Sequence, residues 1–465
     1  MFVRDHRLVA RLGVLLHAVS LGASLWLCAG VLRSGLPVGT PNGFWHLDAL
    51  SALLTLCITV VTLVASGFGP GLDDGGHDPR QIRRFRIFMN AFALTMLVAV
   101  TTNNVGFMWV AIEATTITSA LVIPLNRTKA SVEASWKYLL ICSVGIALAF
   151  AGTVLAYFDF VSTAGHVPDA LNWTVLRAAA PSFHPALMQL AFAFILVGYG
   201  TKAGLAPMHT WLPDAHSEAP APMSAMMSGV LLAVAMYAIA RWKAVVDAAL
   251  ASSFTDNLLL TAGLLSLLIG VMSLVIQRHY KRMLAYSSIE HIGLVSIGLS
   301  LGPLGVFAAL LHLVNHAVAK SMAFLLAGRI LHRYQTTEIA RVTGLLRVMP
   351  WTGGLFAAGV IALVGLPPFG LFVSEFLLVR AAIVTGRVWV AAVILLLVLV
   401  AFVSLFNHLN RMLYGPPPDG VIVGERAGWR VFALGACAAT SIVLGLVLPL
   451  PLARLIERTV AVVTP

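Results

Sequence analysis

Charge is what this sequence has least of. Only 11% of its 465 residues are Asp, Glu, Lys or Arg, and 59% are hydrophobic. A typical soluble domain carries roughly 25% charged residues. So little polar surface cannot cover a water-soluble core, which excludes a soluble globular enzyme. Cysteine is nearly absent: Cys28, Cys57, Cys142 and Cys437 lie far apart, with no paired spacing for a disulfide framework, a metal knuckle or an iron–sulfur cluster. Long polar insertions are missing too, the longest polar loops falling near 69–84, 161–184 and 414–428. There is no glycine-rich dinucleotide fingerprint and no haem attachment motif. Gly198-Tyr199-Gly200-Thr201-Lys202 lacks the spacing of a phosphate loop. No cofactor and no metal is therefore expected, and any redox chemistry belongs to another subunit.

What the chain has is apolar length. Windows of about 20 apolar residues suffice to cross a bilayer. Thirteen such spans fall near 8–32, 47–68, 85–103, 105–125, 136–160, 185–206, 222–242, 258–277, 283–301, 304–331, 350–379, 388–413 and 429–449. The expected fold class is an all-α polytopic membrane protein in contact with the lipid bilayer.

The net charge of +11 is not a nucleic-acid footprint. With loops assigned alternately to two sides, 20 of the 30 basic residues fall on the side of the N-terminus, beginning with Arg4, Arg7 and Arg11, and 8 on the other. The positive-inside rule places the N-terminus in the cytoplasm and the C-terminus outside. Two basic residues, Lys202 and Lys320, remain inside spans.

They have company. Glu113, Lys202, Glu290, Lys320 and Glu375 all lie within apolar spans. A charge at bilayer depth costs roughly 2.5–3.5 kcal/mol even on lenient scales, so each is a candidate functional group. A buried ammonium holds its proton less tightly, and a nearby carboxylate holds it more tightly. Movement of Glu113 relative to Lys202 would therefore load or release a proton. The competing reading is a static ion pair between helices. His312, His316 and Lys320 recur at i, i+4, i+8 on one helix face. Histidine titrates near neutrality, which suits a proton wire. Interhelical hydrogen bonding and a zinc pair are the alternatives, the latter without further ligands nearby. Glu290-His291 precedes that stripe, and Glu375 lies where a terminal site would stand. His209, Asp214 and His216 admit capping roles as readily as proton transfer.

Two regions break their helices. Pro207, Pro213, Pro220 and Pro222 crowd one, and Gly365, Pro367, Pro368 and Gly370 crowd the other. Proline removes a backbone donor and clashes with the preceding turn. Such backbone survives at membrane depth only beside protein or a water-filled cavity, so both breaks are expected to be hydrated. Lys202 stands five residues before Pro207 and Glu375 seven after Pro368. With five spans between equivalent positions, two copies would be inverted, as in transporters with broken helices. The expected division is 1–68 (N-terminal helices), 85–242 (first repeat), 258–413 (second repeat) and 429–465 (a C-terminal helix and tail).

The run Lys202-Ala203-Gly204-Leu205-Ala206-Pro207-Met208-His209-Thr210-Trp211-Leu212-Pro213-Asp214-Ala215-His216 resembles the signature of the antiporter-like membrane subunits of respiratory complex I, multisubunit cation/proton antiporters and membrane-bound hydrogenases. The likeness continues through Lys281–Ser288 and His312–Lys320 and ends near Ser374-Glu375-Phe376, covering roughly 45–415. Ser287-Ser288-Ile289-Glu290-His291 looks like the F-type subunit of hydrogenase-4 and formate hydrogenlyase-like complexes. The resemblance implies two inverted five-helix repeats, with Glu113 as the essential glutamate, Lys202 as the broken-helix lysine, Lys320 as the middle lysine of the second repeat and Glu375 as the terminal acid. It departs from the family in two respects. The usual first helix is expected to be absent, and Ala233 stands where complex I homologues commonly have a lysine joining the repeats.

The expected function is proton translocation by a multi-pass subunit of a prokaryotic plasma membrane complex. Glu113, Lys202, His312, His316, Lys320, Glu290, His291 and Glu375 would form its relay. Electron transfer in other membrane and redox subunits would drive it. A sodium/proton antiporter subunit and a non-pumping structural subunit are the alternatives.

Overall fold

The computed structural model describes residues 6–70, 78–250 and 252–464, with side chains in the first helix from residue 8 onward. Arg4 and the Arg7 side chain, counted above for topology, lie outside the described residues. Nineteen helical segments follow one another: α1 (His6–Ser34), α2 (Ala49–Ser66), α3 (Pro79–Thr101), α4 (Val105–Ala120), α5 (Lys129–Ala164), α6 (Trp173–Ala179), α7 (Pro185–Ala203), α8 (Trp211–Glu218), α9 (Ala221–Met226), α10 (Leu232–Leu250), α11 (Phe254–Val275), α12 (Tyr280–Leu299), α13 (Gly302–Tyr334), α14 (Leu345–Val348), α15 (Pro350–Leu363), α16 (Gly370–Val384), α17 (Val388–Leu413), α18 (Trp429–Leu446) and α19 (Leu450–Val463). The only strands among the described residues are a two-residue pair, Val38–Gly39 and His46–Leu47, joining α1 to α2.

Ten of these helices or helix pairs are long and apolar enough to cross a membrane. The other three expected spans are occupied by α4, α12 and the α15–α16 pair. α4 and α15 are shorter, at 16 and 14 residues. α12 carries Lys281, Arg282, Glu290 and His291, which lower its hydropathy. The chain is thus a multi-span, all-α membrane protein.

The same order of elements occurs twice. Three helices (α3, α4, α5), a short helix (α6), a broken helix (α7–α8) and a long helix (α9–α10) are followed by three helices (α11, α12, α13), a short helix (α14), a broken helix (α15–α16) and a long helix (α17). Side chains start several of these helices: Asp48 accepts from Ser51 N–H, Asn104 from Phe107 N–H and Thr128 from Ser131 N–H. The apolar core divides similarly, one cluster centred on α2–α10 and the other on α11–α18.

Both breaks occur where proline and glycine crowd, and protein groups satisfy their backbone. α7 ends at Gly204, which takes a left-handed conformation at φ 77°. Beyond it, Ser266 Oγ of α11 accepts from Ala206 N–H at 2.8 Å. The indole of Trp211 donates to Thr201 O at 2.8 Å. At the second break Asn315 Nδ2 donates to Gly370 O at 3.0 Å. Side chains on α8, α11 and α13 supply these partners.

Three further features differ from expectation. Residues after 449 form an amphipathic helix rather than a tail: α19 buries Leu455, Ile456, Thr459 and Val463 and packs on α1, α2, α10 and α13. Burial of basic residues is not confined to Lys202 and Lys320. Arg86, Arg241, Lys243 and Lys281 are all 5% exposed or less. Each has a structural partner: Arg86 donates to Ser66 O at the end of α2, and Lys281 to Ser217 O and Ala219 O at the end of α8. Asp48 caps α2 and also forms a buried two-point ion pair with Arg241 at 2.5 and 2.7 Å.

Candidate functional site

The first charged group is assembled where α4, α5 and α7 meet. Gly198 lets α7 press against α5, since a Cβ there would fall 2.4 Å from Ala149 N. One turn later, in the last turn before the break, Lys202 is fully buried. Its Nζ donates to Thr116 Oγ1 at 2.7 Å and to the Tyr138 hydroxyl at 2.8 Å. Thr116 Oγ1 in turn donates to Glu113 Oε2 at 3.2 Å, and Ser143 Oγ donates to Glu113 Oε1 at 2.7 Å. The donor directions are consistent throughout. Ser119 gives its proton to Thr115 O at 2.6 Å, so Tyr138, 2.7 Å away, donates to Ser119. Glu113 and Lys202 are therefore joined through one hydroxyl and not by a direct ion pair.

The second group lies among α12, α13 and α16. Lys320, also fully buried, donates to Leu284 O at 2.7 Å and Ser287 Oγ at 2.6 Å. His291 Nδ1 and His312 Nε2 are 3.0 Å apart, and His312 Nδ1 lies 2.9 Å from Ser374 Oγ. Ser374 donates its proton to Leu371 O at 2.8 Å. It therefore accepts from His312 Nδ1–H, and His312 Nε2 accepts from His291 Nδ1–H. The His316 ring stands 5.2 Å from that of His291, centroid to centroid. The outer ring nitrogens of His291 and His316, Glu290 Oε2 and Asn315 Oδ1 are buried without a hydrogen-bond partner. Such concentration of orphaned polar atoms is unusual in an interior, where burial without a partner is costly.

Among the described residues neither the half-buried Glu113 nor the buried Lys202, Glu290, Lys320 and Glu375 takes part in an ion pair. Glu113 and Lys202 therefore meet across Thr116 and not in direct contact. The donors with the spacing of a metal site are not the i, i+4 pair His312 and His316. They are His291, His312 and Glu375, whose ligating atoms lie within 4.8 Å of one another. Two of the three, His291 and His312, are already hydrogen-bonded to each other.

Residues 102–402 match the family described as NADH:quinone oxidoreductase/Mrp antiporter, transmembrane. The chain belongs to that family. Within it, the chain is 38% identical to a hydrogenase-4 component F homolog of Methylacidiphilum infernorum over 383 residues, covering 81% of this chain and 80% of the other. It is 26% identical to a Na(+)/H(+) antiporter subunit of Alkalihalophilus pseudofirmus, over 93% and 86% of the two chains. Among solved structures, a chain of the membrane-bound sulfane sulfur reductase, an archaeal respiratory membrane complex, superposes with a TM-score of 0.88 at 27% identity, over 98% of this chain and 92% of that one.

Against this antiporter-like family background, the residues singled out from sequence fall into two clusters. Glu113 and Lys202 share the first. Glu290, His291, His312, His316, Lys320 and Glu375 share the second. No hydrogen-bonded chain among the described residues links the two. Asp214 is taken up at the surface by Arg282 at 2.8 Å and Lys137 at 3.4 Å. Sequence reasoning missed Thr116, Tyr138, Ser143, Ser287 and Ser374. Thr116 alone carried a signal, three residues from Glu113 on one face of α4. The π-helical turn Met227–Leu231 was missed too. It leads into α10 and brings Ser228 within 2.7 Å of Ser288 on α12, next to the Lys320 site. Such turns are frequently found at functional sites.

Proposed function

We propose that this chain is the proton-translocating subunit of a complex I-related or hydrogenase-type oxidoreductase in a prokaryotic plasma membrane, with a cytoplasmic N-terminus. The repeats at 85–242 and 258–413 carry the fully buried Lys202 and Lys320, respectively. The observation that carries this reading is the sequence Glu113–Thr116–Lys202. A threonine hydroxyl accepts from a buried ammonium and donates to a carboxylate, which is the geometry for relaying a proton rather than for fixing a salt bridge. With Glu113 ionised and close, the lysine holds its proton. With Glu113 protonated or displaced, the buried ammonium loses its compensating carboxylate and releases it.

In the second repeat Lys320, His316, His291, His312 and Glu375 offer successive sites. Their unpartnered nitrogens and the Glu290 oxygen leave acceptors open for a moving proton. Electron transfer in partner subunits supplies the driving energy, and this chain holds no redox centre. The family's sodium/proton exchangers use the same scaffold, so the ion is decided by experiment.

The test uses the assembled complex in inverted membrane vesicles, energised with NADH, formate or hydrogen, whichever its host complex oxidises. Lys202→Met is expected to lower proton uptake, followed by acridine-dye quenching, by about tenfold or more while the donor is still oxidised. Unaltered uptake with normal assembly would assign the chain a structural role. Uptake that requires sodium would assign it cation exchange.

A further inference from the structure

A cavity of about 780 Å³ opens between the two repeats, among loops and helix ends that all fall on the N-terminal side of the membrane. Part of its lining is apolar. Phe68 and Pro70 border it where the end of α2 meets Pro220 and Pro222 at the start of α9, and Leu125 and Leu325 add to it. The rest is basic: Lys281 at the start of α12 and Arg329 and Arg333 at the end of α13. Among the described residues Glu218 is the one acid in the lining.

The three cations fare differently. Arg329 is neutralised by Glu425 at 2.7 Å. Lys281 donates to Ser217 O at 2.5 Å and Ala219 O at 2.9 Å, and Arg333 to Ile422 O at 2.5 Å and Gly424 O at 3.0 Å. Carbonyls orient a cation without cancelling its charge. Among the described residues neither Lys281 nor Arg333 takes part in an ion pair, and Glu218 acts on Lys281 only from beyond that distance. Lys281 is 2% exposed, and a buried cation with neutral partners is costly until a counter-charge arrives. Both cations keep donors for one. An ammonium has three, of which Lys281 uses two. Both bonds of Arg333 leave from Nη1, so its Nε–Nη2 edge remains for a two-point contact with an anion.

Two uncompensated cations beside an apolar wall match a phosphate group attached to hydrocarbon. Basic pockets between membrane helices on the cytoplasmic side recognise anionic lipid headgroups in this way. A soluble phosphate would have no use for the wall formed by Phe68, Pro70 and Pro222.

We propose that this cavity is a binding site for one anionic phospholipid. Its phosphodiester is held by Lys281 and Arg333, and its glycerol and acyl ends lie along the apolar wall. The lipid would join the first repeat, at α8 and α9, to the second, at α12 and α13, whichever ion the chain moves.

The test uses the whole complex in phosphatidylcholine nanodiscs containing a trace of phosphatidylglycerol with a diazirine close to its glycerol. After illumination, the labelled peptides of this chain are expected to include 68–70 or 220–222. Excess unlabelled phosphatidylglycerol is expected to remove that label, and phosphatidylcholine or inorganic phosphate to leave it. Removal by inorganic phosphate would assign the cavity to a soluble anion and overturn the lipid. Label that is absent there, or that phosphatidylcholine removes equally well, would mean surrounding lipid only. Arg333→Gln and Lys281→Gln are each expected to lower the label about fivefold, and Arg347→Gln, an exposed cation outside the cavity, to leave it unchanged. Equal labelling in all three variants overturns the site. If Lys281→Gln does not assemble, Arg333→Gln and the competition on the unaltered complex decide the matter.

Discussion

The Lys202 site turns on a single hydroxyl. Thr116 accepts from Lys202 at 2.7 Å and donates to Glu113 at 3.2 Å, so it alone connects the two charges. Serine at this position would preserve both bonds, and valine would preserve the shape and remove them. Thr116→Val leaves Lys202 with Tyr138, and Glu113 with Ser143, so both charges keep one partner each. Losing one such bond costs about 1–3 kcal/mol when a buried charge is involved. The expected outcome is a several-fold fall in proton uptake in Thr116→Val, smaller than that of Lys202→Met, with near-normal uptake in Thr116→Ser. Equal uptake in all three would exclude the hydroxyl from the path. The charges themselves were legible in the sequence because hydrocarbon makes any charge conspicuous. Their partners were not. Serine and threonine recur throughout these helices, mostly bonding back to their own backbone, and nothing in the sequence separates Ser143 or Ser374 from the rest.

The two broken helices show how an element positions chemistry. Gly365 ends α15 with φ at 71°, and a Cβ there would fall 2.0 Å from Glu375 Oε2. The break and the terminal carboxylate therefore share one space, which proline and glycine spacing alone does not reveal. Gly302 provides the comparison: its φ is 69°, with nothing within 4 Å of a Cβ. Alanine at either position forces a non-glycine residue into the left-handed region, at about 1 kcal/mol. At Gly302 that is the whole effect. At Gly365 the methyl must also drive the Glu375 carboxylate out of place. Gly302→Ala is expected to lower the thermal midpoint slightly and leave proton uptake intact, and Gly365→Ala to reduce uptake several-fold. Equal uptake in the two variants would separate Glu375 from the transport path. The breaks were legible because proline excludes helix. The pairing of His291 with His312 was hidden, since it joins α12 to α13, and spacing along one helix pointed to His316 instead.

For the whole molecule, the spans and the doubled order of elements followed from apolar length and from where proline and glycine cluster. Contacts between distant segments did not, as Asp48 with Arg241 shows, and neither did α19. Its apolar face is too short to read as a span. Yet α19 touches α1 and α2, the first repeat through α10 and the second through α13. Arg458 ties it to the end of α1 by donating to Val31 O at 2.6 Å. A helix lying across both halves should contribute to their mutual hold through its buried face. Ile456 is fully buried there, and Leu450, at the start of the same helix, is 61% exposed. Truncating a buried isoleucine to alanine costs about 2–5 kcal/mol, and an exposed substitution stays within about 0.5 kcal/mol. Ile456→Ala is therefore expected to lower the thermal midpoint of the purified complex by several degrees, and Leu450→Ala to leave it in place. If α19 also keeps the two lysine sites in register, Ile456→Ala will lower proton uptake at temperatures well below that midpoint, while donor oxidation in the partner subunits continues. A lower midpoint with undiminished uptake would confine α19 to stability, and an unchanged midpoint would show that it does not brace the two halves at all.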